Sequence, residues 1–141
     1  MKRTIILACA AAALWIQSPV LADEVQTVTW EEILQRLALT AEPGTELRQV
    51  VRPLIDRPAR LEAVFDRTEK DEAGRTWQRF RYDHGNNTFM CFSDAESAPA
   101  APGWRGAVTG LLVEFEFHSE DLQGHRFFVL RLRKGGTERL P

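Results

Sequence analysis

Apolar residues recur at Trp30, Ile33, Leu34 and Leu37, the i, i+3, i+4, i+7 spacing that lines one face of a helix. Thr29-Trp30-Glu31-Glu32 opens this face as a capping box. The Thr29 hydroxyl is placed to accept the Glu32 N–H while the Glu32 carboxylate reaches back. Val28 and Ile33 would flank the cap as a hydrophobic staple. Pro43-Gly44 ends the segment. Thr45 is positioned to cap a second short helix carrying Leu47, Val50 and Val51, which stops before Pro53. Val50-Val51 would equally suit a strand.

From about Pro58 the period drops to two. Leu61, Ala63 and Phe65 share one face of a first strand. Thr76 to Asp83 sets Gln78, Phe80 and Tyr82 against Trp77, Arg79 and Arg81. Thr88 to Ser93 forms a third strand. Ala107 to His118 turns Val113, Phe115 and Phe117 inward and Glu114, Glu116 and His118 outward. Arg126 to Arg133 sets Phe128, Leu130 and Leu132 against Arg131 and Arg133. Gly- and Asn-containing turns separate the strands at 70–74, 84–87 and 123–124, and an Ala- and Pro-rich loop spans Asp94 to Gly103. Short, evenly spaced strands with one apolar face each predict a small closed or half-closed barrel. With the helices before it, the fold class is α+β. Gly106 and Gly110 would allow the bend that closure needs. The Trp30 face is expected to bury against a barrel end or one sheet face. The chain divides into a helical segment at 23–57, a barrel at 58–134 and a tail at 135–141.

The first 22 residues are of another kind. Met1-Lys2-Arg3 precedes a nearly uninterrupted apolar run from Thr4 to Ile16, and Pro19-Val20-Leu21-Ala22 makes a small-residue exit. This is the pattern of a secretory signal peptide cut between Ala22 and Asp23, which directs the protein to the periplasm or outside the cell. The run is shorter than the roughly 20 residues that span a bilayer, which argues against a membrane anchor. Cys9 lies inside the run and not at its end, which argues against lipid attachment. No later stretch is apolar over a spanning length. Loss of Lys2 and Arg3 takes the formal charge from −2 to −4, which excludes a generally basic nucleic-acid coat. A hydrophobic fraction of 44% excludes a disordered chain, and 141 residues leave room for one domain and not a two-domain enzyme. Without Cys9 the remaining cysteine is Cys91, so the exported domain would hold no internal disulfide and would stand on its hydrophobic core. Between Met90 and Phe92, Cys91 reads as a buried strand thiol. A reactive or intermolecularly paired thiol is the alternative.

Leu61-Glu62-Ala63-Val64-Phe65 as an opening strand and Phe89-Met90-Cys91-Phe92 as a central one set a pattern that the second half completes. There, Gly106-Ala107-Val108-Thr109-Gly110 leads into the fourth strand, and Phe127-Phe128-Val129-Leu130-Arg131-Leu132 is the last. From about Ala59 to Arg133, this pattern resembles the OB-fold, and within it the tRNA-anticodon-binding-like domains of small exported bacterial proteins. It covers a little over half of the exported chain and includes no catalytic signature. The resemblance implies a binding module that uses its central strands and the loops beside them. The chain departs from the pattern in one way: the loop 94–103 stands where a helix between the third and fourth strands is expected. A small β-sandwich or an unrelated α+β roll is the alternative.

Chemistry-bearing residues are sparse. Cys91, His84, His118 and His125 could ligate a metal, but no two have a short ligand spacing, and neither metal nor cofactor is expected. Cys91 with His84 or His118 is the one formal nucleophile–base combination, and no G-x-S-x-G elbow occurs. Glu114 and Glu116 share a strand face as glycosidase acids do, but a solvated face accounts for them. No glycine-rich phosphate loop, dinucleotide fingerprint or haem motif is present.

The strongest binding surface is Trp77, Arg79 and Arg81, an aromatic and two guanidinium groups on one strand face. The structural alternative packs Trp77 under the N-terminal helix and pairs the arginines with Glu114 and Glu116. A second basic set, Arg126, Arg131, Arg133 and Lys134, faces the acids Glu114, Glu116, Glu120 and Asp121. The expected function is therefore a non-catalytic exported binding or interaction domain, not an enzyme, whose ligand is a protein, a peptide or an anionic small molecule. Single-stranded nucleic-acid binding is the first alternative, opposed by the net charge. A small thiol-dependent enzyme using Cys91 is the second.

Overall fold

A computed structural model describes residues 26–41, 45–96 and 102–141. The segment read as a signal peptide and the middle of the 94–103 loop lie outside the described residues. Helix α1 (Trp30–Ala38) runs into a 3₁₀ turn at Leu39–Ala41, and α2 (Leu47–Val51) into another at Arg52–Leu54. Five strands follow: β1 (Pro58–Lys70), β2 (Thr76–His84), β3 (Asn87–Ser93), β4 (Arg105–Glu120) and β5 (Arg126–Arg139). They close into a barrel in the order β1-β2-β3-β5-β4, and β4 returns to pair with β1. Every neighbouring pair is antiparallel except β3 with β5. A five-stranded barrel of this order is OB-like, and the α+β class expected from the alternation is what the chain forms.

The period-two pattern drives closure. Ala59, Leu61, Ala63 and Phe65 of β1 are buried while the residues between them are exposed. With Phe80, Phe89, Cys91, Leu112, Phe115, Phe128, Leu130 and Leu132 they fill the interior. Each buried Leu or Phe side chain contributes about 2 kcal/mol through lost apolar surface.

The N-terminal helix completes this core. β1 pairs with β2 only from Val64↔Arg81 to Lys70↔Thr76. Where the two strands part, Val28 bridges to Ala59, and the Trp30 indole N–H donates to the Glu62 carbonyl at 2.7 Å. The Trp30 ring stacks on Tyr82 with centroids 4.3 Å apart. Ile33 and Leu37 bury behind it at helical spacing. No helix lies between β3 and β4 among the described residues, and α1 seals the barrel from the other end of the sequence.

Several local expectations are corrected. Thr29 caps α1 by accepting the Glu32 N–H, but the Glu32 carboxylate pairs with Arg57 and does not reach back. The N-cap of α2 is Glu46, not Thr45, and makes no side-chain cap bond. The helical path does not stop before Pro53, because a 3₁₀ turn has no need of the proline N–H. Residues 135–139 are not a tail: β5 continues to Arg139, opposite Gly106. Gly135 makes this possible. A Cβ there would lie 2.2 Å from the Thr109 carbonyl oxygen, so only glycine lets β5 cross β4 so closely. Gly110 has φ +147° and faces the same crossing, whereas the space at Gly106 is taken by the Trp104 ring.

Candidate anion-binding face

The outer face of β2 carries Trp77, Arg79 and Arg81, as the alternation requires, but the three have different surroundings. Arg79 is fully engaged. Its Nε donates to Asp66 at 2.7 Å, its Nη2 to the same carboxylate, and its Nη1 pairs with Glu69 at 2.9 Å. A bulge in β1 between Phe65 and Arg67 breaks the register next to Asp66. Arg81 is exposed and pairs with Asp83 two residues on. Neither arginine meets Glu114 or Glu116.

Trp77 is only 3% exposed, yet it does not pack under the N-terminal helix. Its indole N–H donates to Asp71 at 3.0 Å, and guanidinium groups cover the ring. The guanidinium carbons of Arg131, Arg133 and Arg75 lie 5.0, 5.7 and 5.9 Å from the ring centre, within cation–π range. Arg131 is also 5.0 Å from the Phe92 ring. The strand order explains the meeting. β3 ends at Ser93, level with Gln78 on one side and Leu132 on the other. Beyond that row no strand separates β2 from β5, and their outer side chains converge.

Two acids anchor this group. Asp71 opens the β1–β2 turn, and its Oδ1 accepts the N–H groups of Ala73 and Arg75, both at 2.9 Å. Its Oδ2 accepts from the Arg75 Nε at 3.1 Å. The Trp77 indole N–H, then the Arg75 backbone N–H, hold the Asp71 carboxyl down at about 2. On the neighbouring strand β4, Glu114 lies opposite Arg131 and forms an ion pair with its Nε at 2.9 Å. A hydrogen bond with Glu116 and partial burial push the Glu114 carboxyl above its ordinary value, against the pull of Arg131. Arg75 and Arg131 thus spend Nε on a carboxylate. Among the described residues no hydrogen bond uses their Nη atoms, and Arg133 forms no ion pair. A cavity of ≈ 480 Å³ is lined by all three arginines together with Trp77, Asp71, Glu114 and Val113. A second, of ≈ 430 Å³, adjoins it past Arg75, Trp77 and Arg133.

The other sequence candidates are placed elsewhere. Cys91 is wholly buried, and desolvation pushes its thiol far above the ordinary value. His125 lies 2.7 Å from the Thr88 hydroxyl, which donates to Asp83 at 2.5 Å. Thr88 therefore accepts from His125, and that imidazole carries its proton on Nε2. His84 stacks beside Tyr82, and His118 lies exposed in β4. Among the described residues no three His, Cys, Asp or Glu side chains gather as a metal site, and no helix is long and apolar enough to cross a membrane. A wider cleft, ≈ 1060 Å³, runs between the start of α1, β1, the end of β2 and Pro102–Arg105 and includes Arg81. Its arginines are paired with Glu62, Glu138 and Asp83.

No protein-family model matches the chain, and a search of curated proteins finds no significant match. Among solved structures, similarity is found to a Leishmania major Friedlin protein assigned as an aspartyl-tRNA synthetase. The identity is 12% and the TM-score 0.40, over 83% of this chain and 21% of that one. The chain therefore spans about a fifth of that protein's length.

Proposed function

We propose that this OB-like barrel is an exported, non-catalytic binding domain that holds an anionic ligand or an acidic stretch of a partner against the outer face around Trp77. One observation carries the reading: three guanidinium groups are gathered on a single indole, two anchored through Nε alone and one without an ion pair. Guanidinium forks held this way are poised for carboxylate or phosphate oxygens. The basic start and apolar run of residues 1–22 support export. The buried state of Cys91 weighs against thiol chemistry.

Single-stranded nucleic acid is the second reading, because OB barrels use the faces of strands two and three and the neighbouring loops for such ligands. That mode needs an open aromatic face for a base to stack on. The Trp77 ring is covered by its arginines, which favours the anionic partner.

The test uses protein recovered after export, its N-terminus read by mass spectrometry. Fluorescence anisotropy then compares a labelled oligo-glutamate peptide with a labelled oligo-thymidine. Asp23 at the N-terminus, with saturable, salt-weakened binding of the glutamate peptide, is the expected result. Retention of residues 1–22 in the cytoplasm would overturn export. Tighter binding of oligo-thymidine would move the function to nucleic acid.

A further inference from the structure

Resting on the anionic-ligand reading above, we infer that the ≈ 480 Å³ cavity at Trp77 takes a phosphate or sulfate group, free or as a monoester, in preference to a carboxylate, gripped by Arg75, Arg131 and Arg133 together. The arginines come from three places: the β1–β2 turn, the middle of β5 and a position two residues further along β5. A carboxylate has two oxygens in one plane and is satisfied by one fork. Three forks around one cavity match a group with three outward oxygens that are not coplanar, the arrangement of a phosphate or sulfate monoester.

The rest of the cavity fits that assignment. Asp71 and Glu114 bind only the Nε atoms of Arg75 and Arg131. The acids orient these guanidinium groups without consuming the Nη pairs. Arg131 is further held between the Trp77 and Phe92 rings, 5.0 Å from each, so its fork enters binding already ordered. Three arginines against two acids leave the cavity with a surplus positive charge. Arg57 and Arg79, by contrast, use Nε and both Nη atoms on protein acceptors. They have nothing left to offer a ligand.

The source of the group is either free phosphate or sulfate, or the head of a small phosphorylated metabolite. The experiment separates them. Purified protein is titrated in turn with inorganic phosphate, sulfate, glycerol 3-phosphate, acetate and the oligo-glutamate peptide, at constant ionic strength. The readout is the Nε–Hε cross-peaks of the arginine side chains by NMR. Phosphate and sulfate are expected to move the Arg75, Arg131 and Arg133 peaks saturably and to leave those of Arg57 and Arg79 in place. Arg133→Gln, an exposed position, is expected to weaken phosphate binding about tenfold, the cost of one charge-assisted contact. Arg79→Gln is expected to leave it unchanged. Tighter binding of glycerol 3-phosphate than of inorganic phosphate assigns the source to a monoester, and the reverse assigns it to the free ion.

Equal affinity for acetate and phosphate, or equal shifts at Arg79 and Arg133, overturns the inference. If the glutamate peptide still binds in that case, the anionic-ligand reading survives. If no anion moves any arginine peak, both fall.

Discussion

Arg57 and Arg79 on one side, and Arg75, Arg131 and Arg133 on the other, show how one residue type does two jobs in one small barrel. Arg57 ties the N-terminal segment, α1 and the turn before β1 together, donating to the Gln26 and Pro53 carbonyls and to both oxygens of Glu32. Arg79 locks the bulged part of β1 to β2 through Asp66 and Glu69. These are structural clamps with all nitrogens engaged. The arginines around Trp77 are held against its ring, two of them also by single Nε contacts, and all three line one cavity. The difference lies in saturation combined with place: Arg81 also spends only Nε, on Asp83, but it is not gathered on the Trp77 ring with the other three.

That contrast is open to direct attack. The largest effect is expected from Trp77→Ala, which removes a side chain buried to 97% and its bond to Asp71. Chemical denaturation should show a loss of about 3 kcal/mol, with the arginine cluster dispersed. Trp77→Phe keeps a ring under the guanidinium groups and should retain anion binding at a smaller cost. Arg57→Ala should come next, at about 2 kcal/mol, because it leaves the half-buried Glu32 carboxylate without its partner. Anion affinity should not change. Arg133→Gln should reverse the pattern, with stability unchanged within about 0.5 kcal/mol and anion binding impaired.

A smaller effect concerns pH. Asp71 falls from an ordinary 3.8 to about 2 in the folded protein. Its folded value lies below the unfolded one, so its contribution is fully present above 3.8 and is lost as pH falls through about 2. The Trp77 indole N–H resonance should therefore shift across that window, and Asp71→Asn should abolish the shift. The smallest effect is at Cys91. Its buried thiol should alkylate only as fast as the barrel opens, so iodoacetamide labelling of native protein should be far slower than in urea.

Much of the barrel is legible in the sequence, because the alternation of apolar and polar residues along β1 matches its burial, and Leu61, Ala63 and Phe65 are read correctly by period alone. In β4 it does not: register shifts at Leu112/Glu114 and Phe117/Ser119 leave Leu112 and Phe115 buried, Val113 half-buried beside the arginines and Phe117 exposed, so of Val113, Phe115 and Phe117, all expected inward, only Phe115 is. The end of β5 is not legible. Gly135-Gly136 looks like a break, whereas Gly135 is there because the Thr109 carbonyl comes too close for any Cβ. The site is half legible. Period two places Trp77, Arg79 and Arg81 on one face, and Arg131 and Arg133 on another strand's outer face. It cannot show that β3 ends where β2 and β5 draw together, because parallel pairing of β3 with β5 is a long-range event. Nor can it show that Asp66 and Glu69 would claim Arg79. Arg75, just past the 70–74 turn, carries no periodic signal at all, and only the structure shows Asp71, four positions earlier, fixing its side chain.

The central claim is that the arginines at Trp77 bind and the saturated arginines do not. Arg133→Gln and Arg79→Gln remove the same charge from the same barrel, one from the Trp77 cluster and one from the clamp on Asp66 and Glu69. Measured against the oligo-glutamate peptide at one salt concentration, Arg133→Gln should weaken binding about tenfold, and Arg79→Gln should leave it as in the native protein. Equal weakening by both would mean that the barrel attracts anions by overall charge alone, and would contradict the account.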